Sequence, residues 1–284
     1  MYIADGWKDY ELIDCGSGDK FERWGKYTLL RPDPLAIWPL EPCSPHAVYH
    51  RSSSGGGHWE YLRPLPEKWE IHYKNLTFIV RPTGFKHTGL FPEQAVNWDW
   101  MTSLIEKAAK RPISVLNLFA YTGGATVACL KAGAQVLHLD AAKGMVAWAK
   151  DNAAASGVAS APVRYIVDDA MKFVLREARR GRRYDAVIMD PPSYGRGPTG
   201  EMWKIEEGLF PLVTACANIL SDDPLFFLIS SYTTGLAPIV LKNVLNLALV
   251  SRYGGKAEAG EVALPCTRRR IFLPCGASGR WTAK

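Results

Sequence analysis

From residue 113 onward, short apolar runs alternate with stretches of helical periodicity. The runs at 113–118, 135–139, 163–167, 184–189 and 225–230 read as strands, and the stretches at 124–132, 142–156, 170–180 and 203–220 read as helices. The strands are nearly continuous in apolar residues, as required when both faces of a sheet are covered. Strand, helix, strand at this rhythm predicts βαβ units and a mostly parallel sheet. A further helix is expected at 238–249, and two last strands at 256–264 and 269–273 would close the sheet. There is no internal repeat.

The first part of the chain has a different character. Five of the ten tryptophans, Trp7, Trp24, Trp38, Trp59 and Trp69, fall within the first 70 residues. Short β-type runs at 27–30, 69–73 and 76–81 are separated by turn residues such as Arg31-Pro32-Asp33-Pro34, and Ser52-Ser53-Ser54-Gly55-Gly56-Gly57 reads as a flexible loop tip. A helix is expected at 92–110. The chain therefore divides into a small β-rich N-terminal region, 1–85, and an α/β domain, 86–284. The N-terminal tryptophans could stack on nucleic-acid bases, but filling the core of a small β module is the commoner use.

Composition narrows the function classes. Of 284 residues, 48% are hydrophobic and 22% charged, which excludes a disordered chain. No apolar run approaches the roughly 20 residues of a membrane span. The opening Met1-Tyr2-Ile3-Ala4-Asp5-Gly6 has no basic segment leading into an apolar one, so a cytoplasmic location is expected. The formal charge of +6 permits a polyanionic partner without demanding one. Cys15, Cys43, Cys129, Cys216, Cys266 and Cys275 form no C-x-x-C pair, so no metal site is expected and reduced thiols are the default.

The candidate chemistry sits where predicted strands end. The first runs through Asn117 and Leu118 into Phe119-Ala120-Tyr121-Thr122-Gly123-Gly124, a glycine pair opening a helix. The run is not G-x-G-x-x-G and lacks the P-loop lysine, which disfavours a pyrophosphate site. The second strand ends at Asp140, 17 residues after Gly123. An acid there can accept from both hydroxyls of a ribose, or can cap the next helix. The third ends in Asp168-Asp169. One of the pair can cap a helix while the other accepts from an exocyclic amine; Asp169 is the choice for the amine, and the reverse stays open. The fourth ends in Asp190-Pro191-Pro192-Ser193-Tyr194, the most specific signal in the chain. Its prolines stiffen the loop and leave carbonyls outside any ladder, making a polar clamp beside a planar acceptor.

With these residues the chain resembles the class I S-adenosylmethionine-dependent methyltransferases. It is more narrowly similar to the branch holding bacterial large-subunit ribosomal RNA methyltransferases that act on cytosine C5 or guanine N7. Members carry N-L-F-x-Y-T-G, then D-x-S-K, then D-P-P-[KS]-[FY]. Here the second element reads Asp140-Ala141-Ala142-Lys143, with Ala142 in place of Ser. A preceding segment of the branch, H-K-T-G-x-[YF]-x-D-Q, is matched in altered form by Lys86-His87-Thr88-Gly89-Leu90-Phe91-Pro92-Glu93-Gln94. The resemblance covers about residue 70 to the C-terminal end and does not extend to the N-terminal RNA-binding module of some relatives.

The resemblance implies a Rossmann-like seven-stranded class I methyltransferase sheet with a β-rich N-terminal extension. It also implies S-adenosylmethionine as cofactor, held by Thr88, Gln94, Phe119, Ala120, Tyr121, Thr122, Gly123, Asp140, Ala141, Asp169 and Asp190. Asp190, Pro191, Pro192, Ser193 and Tyr194 would form the catalytic loop, with ribosomal RNA as partner. Protein, small molecules, or an RNA-binding assembly role that keeps the fold are the rival readings.

One departure bears on mechanism. Cytosine-C5 transfer needs a thiolate that adds to C6, and the branch's C5 members place a Cys just after the fifth strand. This chain has Ser230-Ser231-Tyr232-Thr233-Thr234 there, so a base nitrogen is the favoured acceptor. Arg176, Arg179, Arg180, Arg182 and Arg183 read as the solvated end of a helix rather than a phosphate patch. Arg196, beside the mobile glycines Gly195, Gly197 and Gly200, and the run Arg268-Arg269-Arg270 are better placed to meet RNA. His138 is expected to be a packed strand residue, and His87 is either structural or a substrate contact. Oligomeric state is not legible.

Overall fold

The computed structural model describes residues 1–52, 56–108, 112–196 and 202–283, with the backbone alone at Arg196. Its chain forms two compact units: Tyr2–Val96 with Ala263–Cys275, and Asn97–Val262 with Gly276–Lys284. Residues 86–96 and 263–275, grouped with the α/β domain from sequence, thus lie in the N-terminal unit.

The N-terminal unit contains β1 (Tyr2–Ile3), β2 (Tyr10–Gly16), β3 (Asp19–Trp24), β4 (Tyr27–Pro32), β5 (Ala47–Arg51), β6 (Gly57–Tyr61), β7 (Trp69–Tyr73) and β8 (Leu76–Val80). Strands β2 to β6 form a five-stranded sheet in chain order, and β7 and β8 pair with each other. The turn between β2 and β3 is closed by Ser17 and Gly18, with φ of 52° and 80°. Left-handed residues at both turn positions match the twist of a tight hairpin. Loop-tip residues 53–55 lie outside the described residues.

The inward face of this sheet carries charge as well as rings. Glu22 is fully buried and takes Arg31 Nε at 2.6 Å, Arg31 Nη2 at 2.7 Å and the Tyr10 hydroxyl at 2.8 Å. Arg31 also lies 5.1 Å from the centre of the buried Trp24 ring. An acid and a base at inward positions break the apolar alternation, which is why most of this sheet escaped the sequence reading. Four tryptophans donate their indole N–H to backbone carbonyls: Trp7 to Pro92, Trp38 to Cys15, Trp59 to Thr83 and Trp69 to Trp24. With Trp24 buried, the tryptophans are parts of this unit's framework.

The arginine run is equally committed. Asp14, fully buried, takes Arg269 Nε at 3.1 Å and Arg268 Nη1 at 3.4 Å, and Arg269 further donates to the Pro39 carbonyl. Arg268 and Arg269 thus brace Asp14, while Arg268 and Arg270 stay exposed.

The second unit is built from α1 (Ala95–Lys107), β9 (Ser114–Leu118), α2 (Gly124–Lys131), β10 (Gln135–Asp140), α3 (Lys143–Ala155), β11 (Val163–Val167), α4 (Ala170–Arg179) and β12 (Ala186–Met189). It continues through β13 (Tyr194–Arg196), β14 (Met202–Lys204), α5 (Ile205–Ala217), β15 (Phe226–Ser231), α6 (Pro238–Leu245), β16 (Lys256–Pro265) and β17 (Phe272–Thr282). The main sheet runs β1-β16-β17-β15-β12-β9-β10-β11. From β11 to β15 all pairings are parallel, and β17 is antiparallel to β15. The seven strands β9 to β12 and β15 to β17 make the Rossmann-like sheet expected, with the two-residue β1 added at its edge. One apolar cluster brings Leu116, Leu139, Phe173, Val187, Leu212 and Trp281 together, all buried.

Three elements depart from the sequence reading. The helix expected from residue 203 starts at Ile205, because Met202–Lys204 pair with Tyr194–Arg196 as a short hairpin. The helix expected to reach 249 gives way to a π turn, Asn246–Val250. The strand expected at 269–273 begins at Phe272 and runs to Thr282. Its glycines hid it: a Cβ on Gly279 would stand 2.9 Å from Leu241 Cβ, so α6 packs onto the strand where only glycine leaves room. Arg280, on the same strand, is satisfied by Asn97 Oδ1, which takes its Nη2 at 2.7 Å.

Glu22 gives a stability test. Burial raises its pKa, but the charges of Arg31 and Lys20 outweigh burial and hold it below the ordinary carboxylate value. The stability it contributes is complete above the unfolded pKa of about 4.3 and is lost as pH falls through the lower folded value. Glu22→Ala strands Arg31 in the interior, and urea denaturation at pH 7 is expected to show a loss of about 3–5 kcal/mol. The gap between variant and wild type should shrink in titrations below about pH 4.

Candidate active site

Strands β9 and β12 stop at one level, and β15 runs two residues beyond it, to Ser231. Leu118, the last residue of β9, is in register with Leu139 of β10 and Met189 of β12, and Met189 with Ile229 of β15. β10 runs one residue further, to Asp140 beside Val167 of β11. The residues that follow, Phe119, Asp168 and Asp190, thus share one edge of the sheet with Asp140. The chain leaves β9 for β10 on one side and returns as β12 on the other. That change of direction opens a crevice at the carboxyl ends of β9 and β12, where open α/β sheets take their ligands.

The loop from Phe119 to Gly123 is bent by three left-handed residues, Phe119, Tyr121 and Gly123, with φ of 54°, 50° and 84°. Non-glycine residues in this region are strained and need support. Asp140 provides it. One carboxylate oxygen accepts from the Tyr121 N–H and the other from the Ala142 N–H, each at 2.8 Å. The acid at the second strand tip thereby holds the first strand's loop open. It is not the N-cap of α3, which is Ala142. Ala120 N–H binds the Leu139 carbonyl at 3.0 Å, and the buried Asn152 side chain donates to the Thr122 carbonyl at 2.8 Å. Gly123 is the N-cap of α2, and a Cβ there would stand 2.9 Å from Ala149 Cβ. Glycine is needed twice at this position, for its φ and for the approach of α3. Ala141 is exposed.

Beneath the loop, Asn117 donates to Thr126 Oγ1 at 2.9 Å, and Thr126 Oγ1 lies 2.9 Å from His138 Nδ1. His138 is the packed strand residue expected, with its pKa pushed down to about 3 by burial. Asn117, Thr126 and Asn152 were not singled out from sequence, because a polar residue inside an apolar run carries no mark of which neighbour it will meet.

The acid pair after β11 is divided as follows. Asp169 caps α4, accepting from the Lys172 N–H at 2.8 Å. Asp168 is paired with Arg176 Nη2 at 2.6 Å. Of the two arrangements left open by the sequence, the helix cap belongs to Asp169. The physical reason is position: the residue directly before a helix is the one whose side chain reaches the N3 amide. Arg176 is an intramolecular partner of Asp168 rather than part of a solvated cluster.

The fourth tip is a braced loop. The Pro192 carbonyl accepts from Trp203 Nε1 at 2.6 Å and the Ser193 carbonyl from the Ile205 N–H at 3.1 Å. Ser193 Oγ lies 2.7 Å from Thr233 Oγ1, after β15. Tyr194 is exposed, its hydroxyl against the Met202 sulfur. Trp203 and Thr233 escaped the sequence reading. Trp203 had been placed inside a helix, and nothing marked Thr233 in the turn after β15. Gly197 and Gly200 lie outside the described residues.

Thr88 and Gln94 belong to the N-terminal unit. Thr88 is buried, its carbonyl accepting from the Arg81 N–H and its hydroxyl without a partner among the described residues. The Gln94 N–H binds the Phe91 carbonyl at 3.0 Å. In the same unit, His87 is held neutral by burial and by Arg31, with its pKa lowered to about 4. No group of metal-binding side chains occurs among the described residues, and among them no helix is long and apolar enough to cross a membrane.

A family model described as S-adenosylmethionine-dependent methyltransferase matches residues 19–209. The chain belongs to the S-adenosylmethionine-dependent methyltransferase family. S-adenosylmethionine is accordingly its cofactor. The structure of a SAM-dependent methyltransferase from Agrobacterium tumefaciens superposes on 99% of this methyltransferase and 93% of that chain, at a TM-score of 0.93 and 34% identity. A SAM-dependent methyltransferase from Streptococcus mutans, 17% identical, has the same fold at a TM-score of 0.75 over 98% of this chain and 76% of its own. Among curated proteins, the ribosomal RNA large subunit methyltransferase K/L of Syntrophotalea carbinolica is 28% identical over 60% of this chain and 23% of its own length. That of Marinobacter nauticus is 27% identical over 74% and 28%. This methyltransferase therefore spans about a quarter of those curated relatives' length.

Two measurements check the site's construction. His138 should stay neutral in ring NMR spectra at pH 5. Its contribution to stability is complete above about pH 6.5 and is lost as pH falls toward the folded value of about 3. Gly123→Ala meets both the left-handed φ and the Ala149 side chain, and should lower stability by about 1–3 kcal/mol in thermal denaturation.

Proposed function

We propose that this chain transfers the methyl group of S-adenosylmethionine to a base nitrogen of ribosomal RNA, at the edge formed by Asp140, Asp190 and the Phe119–Gly123 turn. The observation that carries the reading is the shared register near the strand ends, which brings the 119–123 loop, the strand-tip acid and the proline loop to one crevice. In this reading each Asp140 oxygen keeps a lone pair for a ribose hydroxyl beyond the one spent on a backbone N–H. Asp169, whose Oδ1 caps α4, offers Oδ2 to the adenine amine. Phe119 to Gly123 and Ala141 line the cofactor.

S-adenosylmethionine brings an electrophilic methyl on a sulfonium, so the chain's own task is alignment and exclusion of water. Of the loop carbonyls, Pro192 and Ser193 are taken by Trp203 and Ile205, and Pro191 has no hydrogen bond among the described residues. Pro191 O and the Asp190 carboxylate can then accept from an amine and aim its lone pair along the line of displacement. Exposed Tyr194 supplies a ring on which a base can lie. The nitrogen gains the methyl and releases a proton toward Asp190 or water.

A C5 mechanism lacks its nucleophile. Ser230 and Ser231 end β15, and Thr233 faces the loop in place of a thiol. Cys216 is buried within α5, and burial pushes its thiol pKa up, away from the reactive thiolate. The RNA assignment is supported by the large-subunit methyltransferases among the relatives and by the net charge of +6. A cytoplasmic location accords with it.

Asp140→Ala is expected to weaken S-adenosylhomocysteine binding by tenfold or more, on the order of one to two lost hydrogen bonds, in calorimetry. Equal affinities for variant and wild type would remove the ribose assignment. Asp190→Ala should keep that affinity within about threefold while losing about 100-fold or more in turnover. Turnover is read as labelled methyl transfer to large ribosomal subunits from cells lacking the gene. Label appearing only in protein or small molecules would exclude RNA as the acceptor and leave the cofactor assignment standing.

A further inference from the structure

We infer that Trp203 is a positioning residue that couples the cofactor loop to the proline loop, which deepens the functional reading above and rests on it. Three observations place it there. Its indole N–H donates to the Pro192 carbonyl at 2.6 Å. Its ring packs on Phe119, the strained first residue of the 119–123 loop, at 5.7 Å between centroids and 49° between planes. Its six-membered ring is fitted to Gly208 of α5, where a Cβ would overlap the indole. One side chain thus touches both loops of the crevice, and α5 sets where it stands.

The consequence is selective. By occupying the Pro192 carbonyl, Trp203 leaves Pro191 as the neighbouring carbonyl with no partner among the described residues. By resting on Phe119, it ties that carbonyl's position to the shape of the cofactor loop. Ordering of the cofactor loop on binding should therefore be felt at Ser193 and Tyr194. A ring that only filled space would serve equally well without its N–H; a coupling residue would not. Phenylalanine separates the two roles, since it keeps an aromatic face and lacks the donor.

The test compares wild type, Trp203→Phe, Gly208→Ala and Asp190→Ala, each first checked for an unchanged thermal midpoint. S-adenosylhomocysteine should slow deuterium exchange at amides 193–195 in wild type and leave Trp203→Phe nearly unaffected, although both bind it with similar affinity. In labelled transfer to large ribosomal subunits, Trp203→Phe should lower kcat about tenfold, the loss of one hydrogen bond, with KM for S-adenosylmethionine unchanged. Gly208→Ala, which displaces the indole without touching either loop, should act in the same direction. Ligand-induced protection and kcat equal to wild type in Trp203→Phe would overturn the coupling role. If Asp190→Ala also kept full turnover, the proline loop itself would not be the catalytic element, and the reading on which this inference rests would fall separately.

Discussion

The site depends on the register that four parallel strands share near their carboxyl ends. Hydrogen-bond register in a parallel sheet is shared by every strand, so a shift of one would move its tip relative to all the others. Leu118, Leu139, Met189 and Ile229 stand side by side. Because they do, a bent loop, an acid and a proline turn from distant parts of the sequence face one crevice. The apolar runs that set this register are a stability device first, and the chemistry at their ends is a consequence of where they stop.

Strain and its support are next in the hierarchy. Phe119 and Tyr121 adopt left-handed backbone, and Asp140 holds them there through the Tyr121 N–H. The same carboxylate is the proposed ribose contact, so construction and binding are joined in one residue. A similar economy appears at Asp169, which caps α4 with one oxygen. The N-terminal sheet buries acids against basic partners, Glu22 with Arg31 and Asp14 with Arg269. The α/β unit buries neutral groups under its loop, with Asn117, Thr126 and His138 linked in a row. Neutral partners impose a smaller desolvation cost beneath a ligand site than a charge would.

Much of the α/β unit was legible in advance, for a physical reason. A strand covered on both faces is largely apolar, and a helix packed on one side is amphipathic, so 225–230 and 170–180 stood out within a residue of their observed bounds. The N-terminal sheet was largely illegible, because its inward positions include Glu22, Asp14 and Arg31, whose burial is tolerable only with partners that the sequence does not name. β17 was cut short for the opposite reason: Gly276 and Gly279 lower strand propensity, and their value lies in the room they leave for neighbours.

What the chain by itself determined was the order of strands and helices, the turn residues at each strand tip, and the absence of a thiol after the fifth strand. These are local properties, set by side-chain periodicity and by what glycine and proline permit. Tertiary structure decided which partner each polar group meets. It took Arg268 and Arg269 into the clamp around Asp14, gave the helix cap to Asp169, and moved Trp203 out of a helix onto the hairpin that braces Pro192. Those outcomes depend on contacts between residues far apart in the chain, and hydrogen-bond partners at that range leave no periodic trace.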